Sequence, residues 1–297
     1  MENYNNKAKA MKIQIIIFAV IMPFMLTAGG PWTKPKGKAY LKLSEWWTIF
    51  DQHFTDTGML DPNITTGVFN TSIYGEFGIT DRLTGIINAP IISRNYMNNL
   101  KSRTTEELII EGESITTIGD FDLGIKYGLT RPGAKFPLAA TLMLGLPTGK
   151  SSAGTLNNLQ TGDGEFNQML QLDSGTGFSL GKSSAYLSSF IAINNRTKGF
   201  SEEFRFGLEF GIGLLNKALW LNSKLIVVES FKNGNTAETV TSTSIFANNT
   251  EFSTLGIEAN YYLNSSFGFS AGVATAFRGE IIAAAPSYSI GIFYDLK

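Results

Sequence analysis

The sequence predicts an all-β fold, a transmembrane antiparallel β-barrel of about twelve strands, on three observations. From about residue 37 to the C-terminus, short segments alternate apolar and polar residues. These segments are about ten or more residues long, as a tilted strand needs to be to cross hydrocarbon, whereas soluble sandwich strands average about five or six. The connections between the segments are alternately short and long.

The amino terminus predicts export. Three lysines, Lys7, Lys9 and Lys12, precede an apolar run over residues 13–26, and small residues follow it. A run of about fourteen apolar residues suits a secretory signal peptide and is short for a membrane-spanning helix. We therefore expect residues 1–29 to be a signal peptide and residues 30–297 to form the barrel.

The segment from Phe204 to Leu214 illustrates the strand pattern. Its even-numbered residues are large and apolar, whereas the odd-numbered ones are Arg205, Glu209 and three glycines. Successive strand side chains point to opposite faces, so one face would contact lipid and the other the lumen. The same pattern predicts strands at 37–50, 66–79, 83–93, 117–130, 136–147, 166–180, 184–195, 204–215, 218–231, 249–263, 267–279 and 286–296.

The connections predict the orientation of the barrel. Tight turns rich in turn-forming residues lie at 80–82, 131–135, 181–183, 216–217 and 264–266. Longer polar loops lie between them, at 51–65, 94–116, 148–165, 196–203 and 232–248, with a shorter one at 280–285. Short periplasmic turns and long extracellular loops on an even strand count are typical of barrels in the outer membrane of Gram-negative bacteria.

The last strand resembles the C-terminal signal that the outer-membrane barrel assembly machinery reads. Gly291, Tyr294 and Leu296 occupy its glycine, aromatic and hydrophobic positions, and Lys297 follows where many such chains end. The expected partners are therefore outer-membrane lipid, the assembly machinery and a small-molecule solute.

Composition argues against several other functions. The net charge of −1 offers no basic field for nucleic acid, and the absence of cysteine removes disulfides and thiolate metal sites. The chain has one histidine, His53, predicted to lie in a loop without an adjacent serine, so neither a Ser-His hydrolase nor a zinc site is expected. We expect no cofactor, no metal and no enzymatic activity.

The polar strand faces predict the lumen lining. The charged candidates are Glu76, Asp122, Lys126, Asp173, Arg205, Glu209, Lys224 and Glu258. Such charges either pair across the interior or set the field along a permeation path. Because few residues separate the expected cleavage site from the first strand, we expect no N-terminal plug or hatch, and any constriction to come from loop 148–165. Its candidate residues are Gly154, Gly162, Asp163 and Gly164.

Three stretches point to a family. They are IGDFDLGIKY at 118–127, LGLPTG at 144–149 and TGDG at 161–164. This succession resembles the outer-membrane channel family named for the MetA pathway of phenol degradation, over roughly residues 37–297. The resemblance implies a barrel channel or transporter for hydrophobic or aromatic small molecules and brings no binding residues with it.

The expected function is a passive channel or transporter for small molecules, hydrophobic or aromatic ones included. The alternative is a non-conducting structural or surface-binding barrel that acts through loops 94–116 and 232–248. A blocked barrel should pair the acidic lumen residues with Lys126, Arg205 and Lys224, whereas an open one should leave a water path past them.

The signal peptide yields a first testable prediction. The mature protein from a bacterial membrane fraction should begin between Ala28 and Gly30, because the small residues that signal peptidase accepts lie there. Intact-mass spectrometry measures this directly. A mature chain that retains the apolar run at 13–26 would mean that the segment is an anchor instead.

Overall fold

The computed structural model describes residues 29–102, 104–155, 157–235 and 245–297. The expected signal peptide therefore lies, except for Gly29, outside the described residues. Within the described ranges the helical structure is one 3-10 turn, Leu215–Lys217, and no helix is long and apolar enough to cross a membrane.

Strands make up the described chain. In chain order they are β1 (Ala39–Phe54), β2 (Leu60–Thr80), β3 (Leu83–Met97), β4 (Leu100–Lys101), β5 (Leu108–Ile110), β6 (Glu113–Thr117), β7 (Phe121–Gly128), β8 (Leu138–Leu146), β9 (Asn167–Leu180), β10 (Ser183–Asn195), β11 (Glu203–Leu214), β12 (Leu219–Ser230), β13 (Glu251–Tyr262), β14 (Phe267–Glu280), β15 (Ile282–Ala283) and β16 (Ser287–Leu296).

The strands close into a barrel. Adjacent wall strands pair antiparallel, and β1 pairs with β2 on one side and with β16 on the other. β6 and β7 both pair with β3 and form one wall strand, so the wall has twelve strands and the prediction is confirmed. Closure matters because an open edge in lipid would leave backbone groups unpaired, at several kcal/mol each.

The barrel is apolar outside and polar inside. On β7, Leu123, Ile125 and Tyr127 are 42–53% exposed, whereas Lys126 between them is fully buried. The other wall strands repeat the pattern, with leucine, isoleucine and phenylalanine on the outer surface. Such an exterior is stable against hydrocarbon, so the barrel spans the outer membrane of a Gram-negative bacterium.

The first predicted loop, 51–65, is largely strand. β1 continues to Phe54 and β2 begins at Leu60, so the turn covers only the residues between them. Backbone pairing carries on past the apolar belt, with a bulge between Phe50 and Gln52. The polar residues at this level do not alternate because water is present on both faces, and that is why their strand character was not predicted.

The second predicted loop, 94–116, also contains regular structure. β3 extends to Met97, β6 begins at Glu113, and β4 and β5 form a small hairpin between them. The predicted strand 117–130 is interrupted at residues 118–120, opposite Pro90. Pro90 has no N–H to donate to a neighbouring strand, and its carbonyl accepts one bridging bond from Gly119 N at 2.8 Å.

The outward face of β7 yields a prediction. Replacing Ile125 with lysine should lower the free energy of unfolding by about 2–4 kcal/mol, because it exposes a charge to the bilayer core. Urea titration in lipid vesicles, followed by tryptophan fluorescence, measures the change. The matched control is Ile109→Lys, which alters an exposed residue of the β4–β5 hairpin and should stay within about 0.5 kcal/mol of wild type. Equal effects would contradict the assignment of β7 to the membrane.

Candidate functional site: the barrel interior

A segment before β1 enters the lumen, contrary to the expectation that no N-terminal hatch exists and that any constriction comes from a loop. Gly29 N donates to Glu76 Oε1 at 3.1 Å on β2, while Trp32 packs edge-on against Tyr186 of β10, with ring centroids 5.4 Å apart. Residues 29–36, here called the N-terminal segment, therefore reach both sides of the periplasmic mouth.

Backbone and side-chain bonds hold the N-terminal segment in place. Lys34 N donates to Thr84 Oγ1 at 2.9 Å, and Lys34 Nζ lies 3.3 Å from Asp295 Oδ1. Two wall glycines make room for the chain. A Cβ on Gly78 would collide with the Pro35 carbonyl, and one on Gly175 would lie 2.9 Å from Pro31 Cγ. These contacts join residues far apart in sequence, so local patterns did not reveal them.

Beside the N-terminal segment lies a cavity of about 470 Å³, here called the inner cavity. Aromatic rings dominate its wall, in two runs of contacting pairs. One run joins Trp32, Tyr186 and Trp220, and the other joins Tyr74, Tyr40, Phe293 and Tyr262. Each aromatic pair contributes about 0.5–1.5 kcal/mol beyond its buried area, so the rings also stiffen the wall.

The charged residues that line the inner cavity include Lys224 and Glu258, and Lys224 also pairs with the predicted lumen residue Glu209. Lys224 Nζ lies 3.4 Å from Glu209 Oε2 and 4.0 Å from Glu258 Oε2, and Glu258 also pairs with Lys42 at 3.2 Å. The Tyr186 hydroxyl donates to Glu209. Ion pairs therefore connect the charged side chains of β11, β12 and β13 around the wall.

Three other predicted lumen residues form a buried layer between β2 and β9. Lys126 is fully buried, with its Nζ 3.7 Å from Glu76 Oε1. Asp173 accepts a hydrogen bond from Gln171 Nε2 at 2.7 Å, and Tyr74 donates to Glu76 at 2.5 Å. Around this layer lies an apolar cluster inside the lumen, made of Tyr74, Ile86, Met143, Met169, Phe190 and Ala192.

Towards the extracellular end is a second cavity of about 220 Å³, here called the outer cavity. The two remaining predicted lumen residues, Asp122 and Arg205, line it. Arg205 Nη2 pairs with Glu203 Oε2 at 2.5 Å, not with Asp122, and Asp122 accepts from Asn88 Nδ2 at 3.1 Å. The expected pairing of acidic lumen residues with Lys126, Arg205 and Lys224 thus occurs for Glu76, Glu209 and Glu258 and not for Asp122.

Arg196, which sequence reasoning missed, organises the rim of the outer cavity. Its guanidinium contacts Asp163, Glu165 and Glu203 at 3.1, 2.7 and 2.8 Å. Burial alone would lower the pKa of Arg196, but the three carboxylates outweigh it and raise that pKa. Burial raises the pKa of the Glu165 carboxyl, although Arg196 opposes the shift. Arg196 lies in a predicted loop, where no periodicity marks a residue as inward-facing.

The candidate constriction loop lies against the rim of the wall. Asp120 accepts backbone N–H bonds from Gly149 at 2.8 Å and Asp163 at 2.9 Å. A Cβ on Gly162 would collide with the Asp120 carboxylate, and Gly164 has a positive φ of 74°. Gly154 lies farther out, beside Glu113 and Leu159. Of the four candidates, Asp163 is the one that lines the outer cavity.

A different loop also folds inward at this end. Ile245 and Ala247, from the predicted loop 232–248, line the outer cavity and pack near Phe252 and Ile282. The residues of that loop from 236 to 244 lie outside the described part of the chain. Apolar side chains therefore form one side of the outer cavity, and acidic and amide side chains form the other.

The remaining predicted residues lie on the wall. Tyr294 and Leu296 of β16 point outward and are 45% and 41% exposed. Gly291 packs closely against β1, where a Cβ would lie 2.9 Å from the Leu43 carbonyl oxygen. Their role as an assembly signal stays a prediction. His53 lies in β1, paired with Asp61 and Ala283, rather than in a loop.

The buried layer yields a prediction. Replacing Lys126 with methionine should lower the free energy of unfolding by about 3 kcal/mol or more, because it leaves Glu76 buried without its cation. Urea titration of the refolded barrel measures this, with the exposed Lys101→Met as the matched control. Adding Glu76→Gln should recover part of the loss. An unchanged midpoint for Lys126→Met would mean that water solvates the pair.

Comparison with known proteins supports the fold. No family model matches the chain, and no curated protein matches it. Among solved structures, it is similar to an outer-membrane channel from Pseudomonas putida F1, at 13% identity and a TM-score of 0.56, over 91% of this chain and 99% of that one. The β domain of the Bordetella autotransporter BrkA gives 14% identity and a TM-score of 0.48, over 88% and 100%. The KdgM porin has 9% identity and a TM-score of 0.41, over 86% of this chain and 99% of the porin. At these identities, the likeness to the Pseudomonas channel shows an outer-membrane barrel fold.

Proposed function

We propose that the protein is a narrow, passive outer-membrane channel for small molecules, hydrophobic and aromatic ones included. The aromatic wall of the inner cavity carries this proposal. Rings such as Tyr40, Tyr186 and Trp220 offer flat apolar surface, while Lys42 and Glu258 add a few polar contacts. Cavities of mixed apolar and sparse polar lining are typical small-molecule sites.

The state of the lumen supports selective passage rather than general diffusion of water-soluble solutes. The N-terminal segment occupies part of the lumen at the periplasmic mouth, and the buried layer with the apolar cluster around it fills another part. Tied charges such as Lys126 with Glu76 cost energy to separate, so they hold the wall in one shape. A solute must therefore fit between fixed groups.

Two further lines support the proposal. The fold is shared with an outer-membrane channel from Pseudomonas putida F1. The sequence also resembles the channel family named for the MetA pathway of phenol degradation. This resemblance is the reason that the proposal includes aromatic solutes.

A non-conducting structural barrel is the second candidate, because Glu76, Glu209 and Glu258 are all paired. This is the pattern expected of a blocked lumen. The two candidates differ in one property, since only the channel needs a path that a solute can follow from the outer to the inner cavity.

Conductance distinguishes these candidates. The refolded mature barrel in a planar bilayer should conduct, and small aromatic solutes should reduce the current. Deleting residues 29–36 should raise the single-channel conductance by at least about twofold, because the narrowest section limits conduction. Deleting residues 104–107 from the exposed β4–β5 turn is the control and should change nothing. A correctly folded barrel that is silent with and without the N-terminal segment would favour the structural barrel.

The constriction-loop hypothesis has its own test. Deleting residues 152–162 should raise conductance or solute uptake if the loop narrows the path at the extracellular end. Liposome swelling with small sugars and amino acids measures uptake without an electric field. Unchanged swelling and unchanged conductance would contradict the hypothesis that this loop narrows the path.

A further inference from the structure

We infer that the outer cavity binds the ammonium group of a small amphipathic amine. The inference rests on the proposed function and names the solute class that the extracellular end selects. It stands on two separate features of the cavity, an excess of carboxylates and a set of buried amide oxygens without hydrogen-bond donors.

The carboxylates exceed the cations. Five acidic side chains lie in or beside the outer cavity, against two guanidinium groups: Asp120, Asp122, Asp163, Glu165 and Glu203 against Arg196 and Arg205. Among the described residues, neither Asp120 nor Asp122 has an ion pair, and the cavity wall contributes no other cation. The formal charge of the wall is therefore negative where a ligand would sit.

Amide oxygens give the second, independent feature. Asn194 is 1% exposed, and its Nδ2 donates to Asn167 Oδ1 at 2.8 Å, whereas its own Oδ1 accepts no hydrogen bond from the described residues. The Oδ1 atoms of Asn70 and Asn88 are likewise buried without a donor, and all three side chains line the outer cavity. Buried acceptors are stabilised by a donor, since an unmade bond costs about 1–3 kcal/mol.

The strand order brings these acceptors together. Asn88 of β3 lies opposite Asp122 on the neighbouring strand β7, and beyond β8 the adjacent strands β9 and β10 contribute Asn167 and Asn194. A primary ammonium group supplies three donors and a positive charge, which matches acceptors of both kinds. A metal ion fits less well, because no group of three or more His, Asp or Glu side chains in the described residues is placed to ligate one.

The rest of the cavity indicates the body of the ligand. Phe252 of β13, Ile282 of β15 and Ile245 of the loop before β13 line the outer cavity and pack together. Met143 and Met169 also line this cavity. These side chains would contact an alkyl or aryl group attached to the amine. An anion would meet an excess of carboxylates, so the cavity discriminates against it.

Three matched probes test the inference on the refolded barrel in uncharged detergent. Benzylammonium, benzyl alcohol and benzoate share one ring and differ in charge, and isothermal titration calorimetry measures binding of each. Benzylammonium should bind at least about tenfold tighter than benzyl alcohol, benzoate should not bind, and added salt should weaken the amine selectively. Equal affinities for amine and alcohol would overturn the inference without the need for any variant.

Substitutions locate the site. Asp122→Asn should weaken benzylammonium binding by at least about tenfold and leave benzyl alcohol unchanged, because it removes the charge and keeps the shape. The control is Glu106→Gln, an exposed carboxylate in the β4–β5 turn. Heat-modifiable gel migration checks that both variants fold. Wild-type selectivity that survives in folded Asp122→Asn would contradict the assignment to this cavity.

The result is separable from the proposed function, because calorimetry does not require conduction. A barrel that conducts but binds amine and alcohol equally would support the channel and contradict the amine site. A silent barrel that binds benzylammonium through Asp122 would contradict the channel and support the amine site.

Discussion

Backbone hydrogen bonding in hydrocarbon is the constraint on which the rest of this structure depends. Lipid offers no partner to an N–H or C=O group, so the chain can cross the membrane only as a closed ladder. β1 completes this ladder by pairing with β2 on one side and with β16 on the other. Its pairing with β16 runs from Ala39 opposite Leu296 to Thr48 opposite Ser287. Where Pro90 removes a donor from β3, Gly119 N still supplies a bond to the Pro90 carbonyl.

Closure then forces the distribution of side chains. Alternation along each strand assigns every second residue to lipid, where a charge costs about 2–4 kcal/mol at the bilayer midplane, so nearly all charge moves inward. The interior must therefore neutralise charge within a confined space. It does so by chains of ion pairs around the wall, such as Lys42, Glu258 and Lys224, and by the fully buried Lys126 beside Glu76. Asp122 and Asp173 are exceptions, since neither has an ion pair among the described residues, and Asp122 lines the outer cavity.

Strands and lumen-facing positions were predictable because both follow from a period of two within a dozen residues. Glu209, Lys224 and Glu258 were identified as one inward-facing set from that period alone, and the structure brings them within 4.0 Å of one another through Lys224. The N-terminal segment was missed because its position depends on Gly78 and Gly175, which lie on strands distant in sequence. Arg196 was missed because loops carry no period. Tyr262 packs edge-on against Phe293 beside the inner cavity, a contact between strands that the period of two does not reveal.

The two cavities differ in chemistry because different elements supply their walls. The inner cavity is built from strand residues and the N-terminal segment, and its charged side chains form ion pairs, which leaves aromatic surface as the main feature of its lining. The outer cavity takes Arg196, Asp163 and Ala247 from loops, so its balance of charge is set by segments that the barrel fold does not constrain. In a barrel of this kind, changes in the loops can therefore alter the chemistry of the extracellular end while the ion-paired wall below keeps its shape. That division explains why the closed wall could be predicted from periodicity, whereas the chemistry of the outer end required side-chain positions.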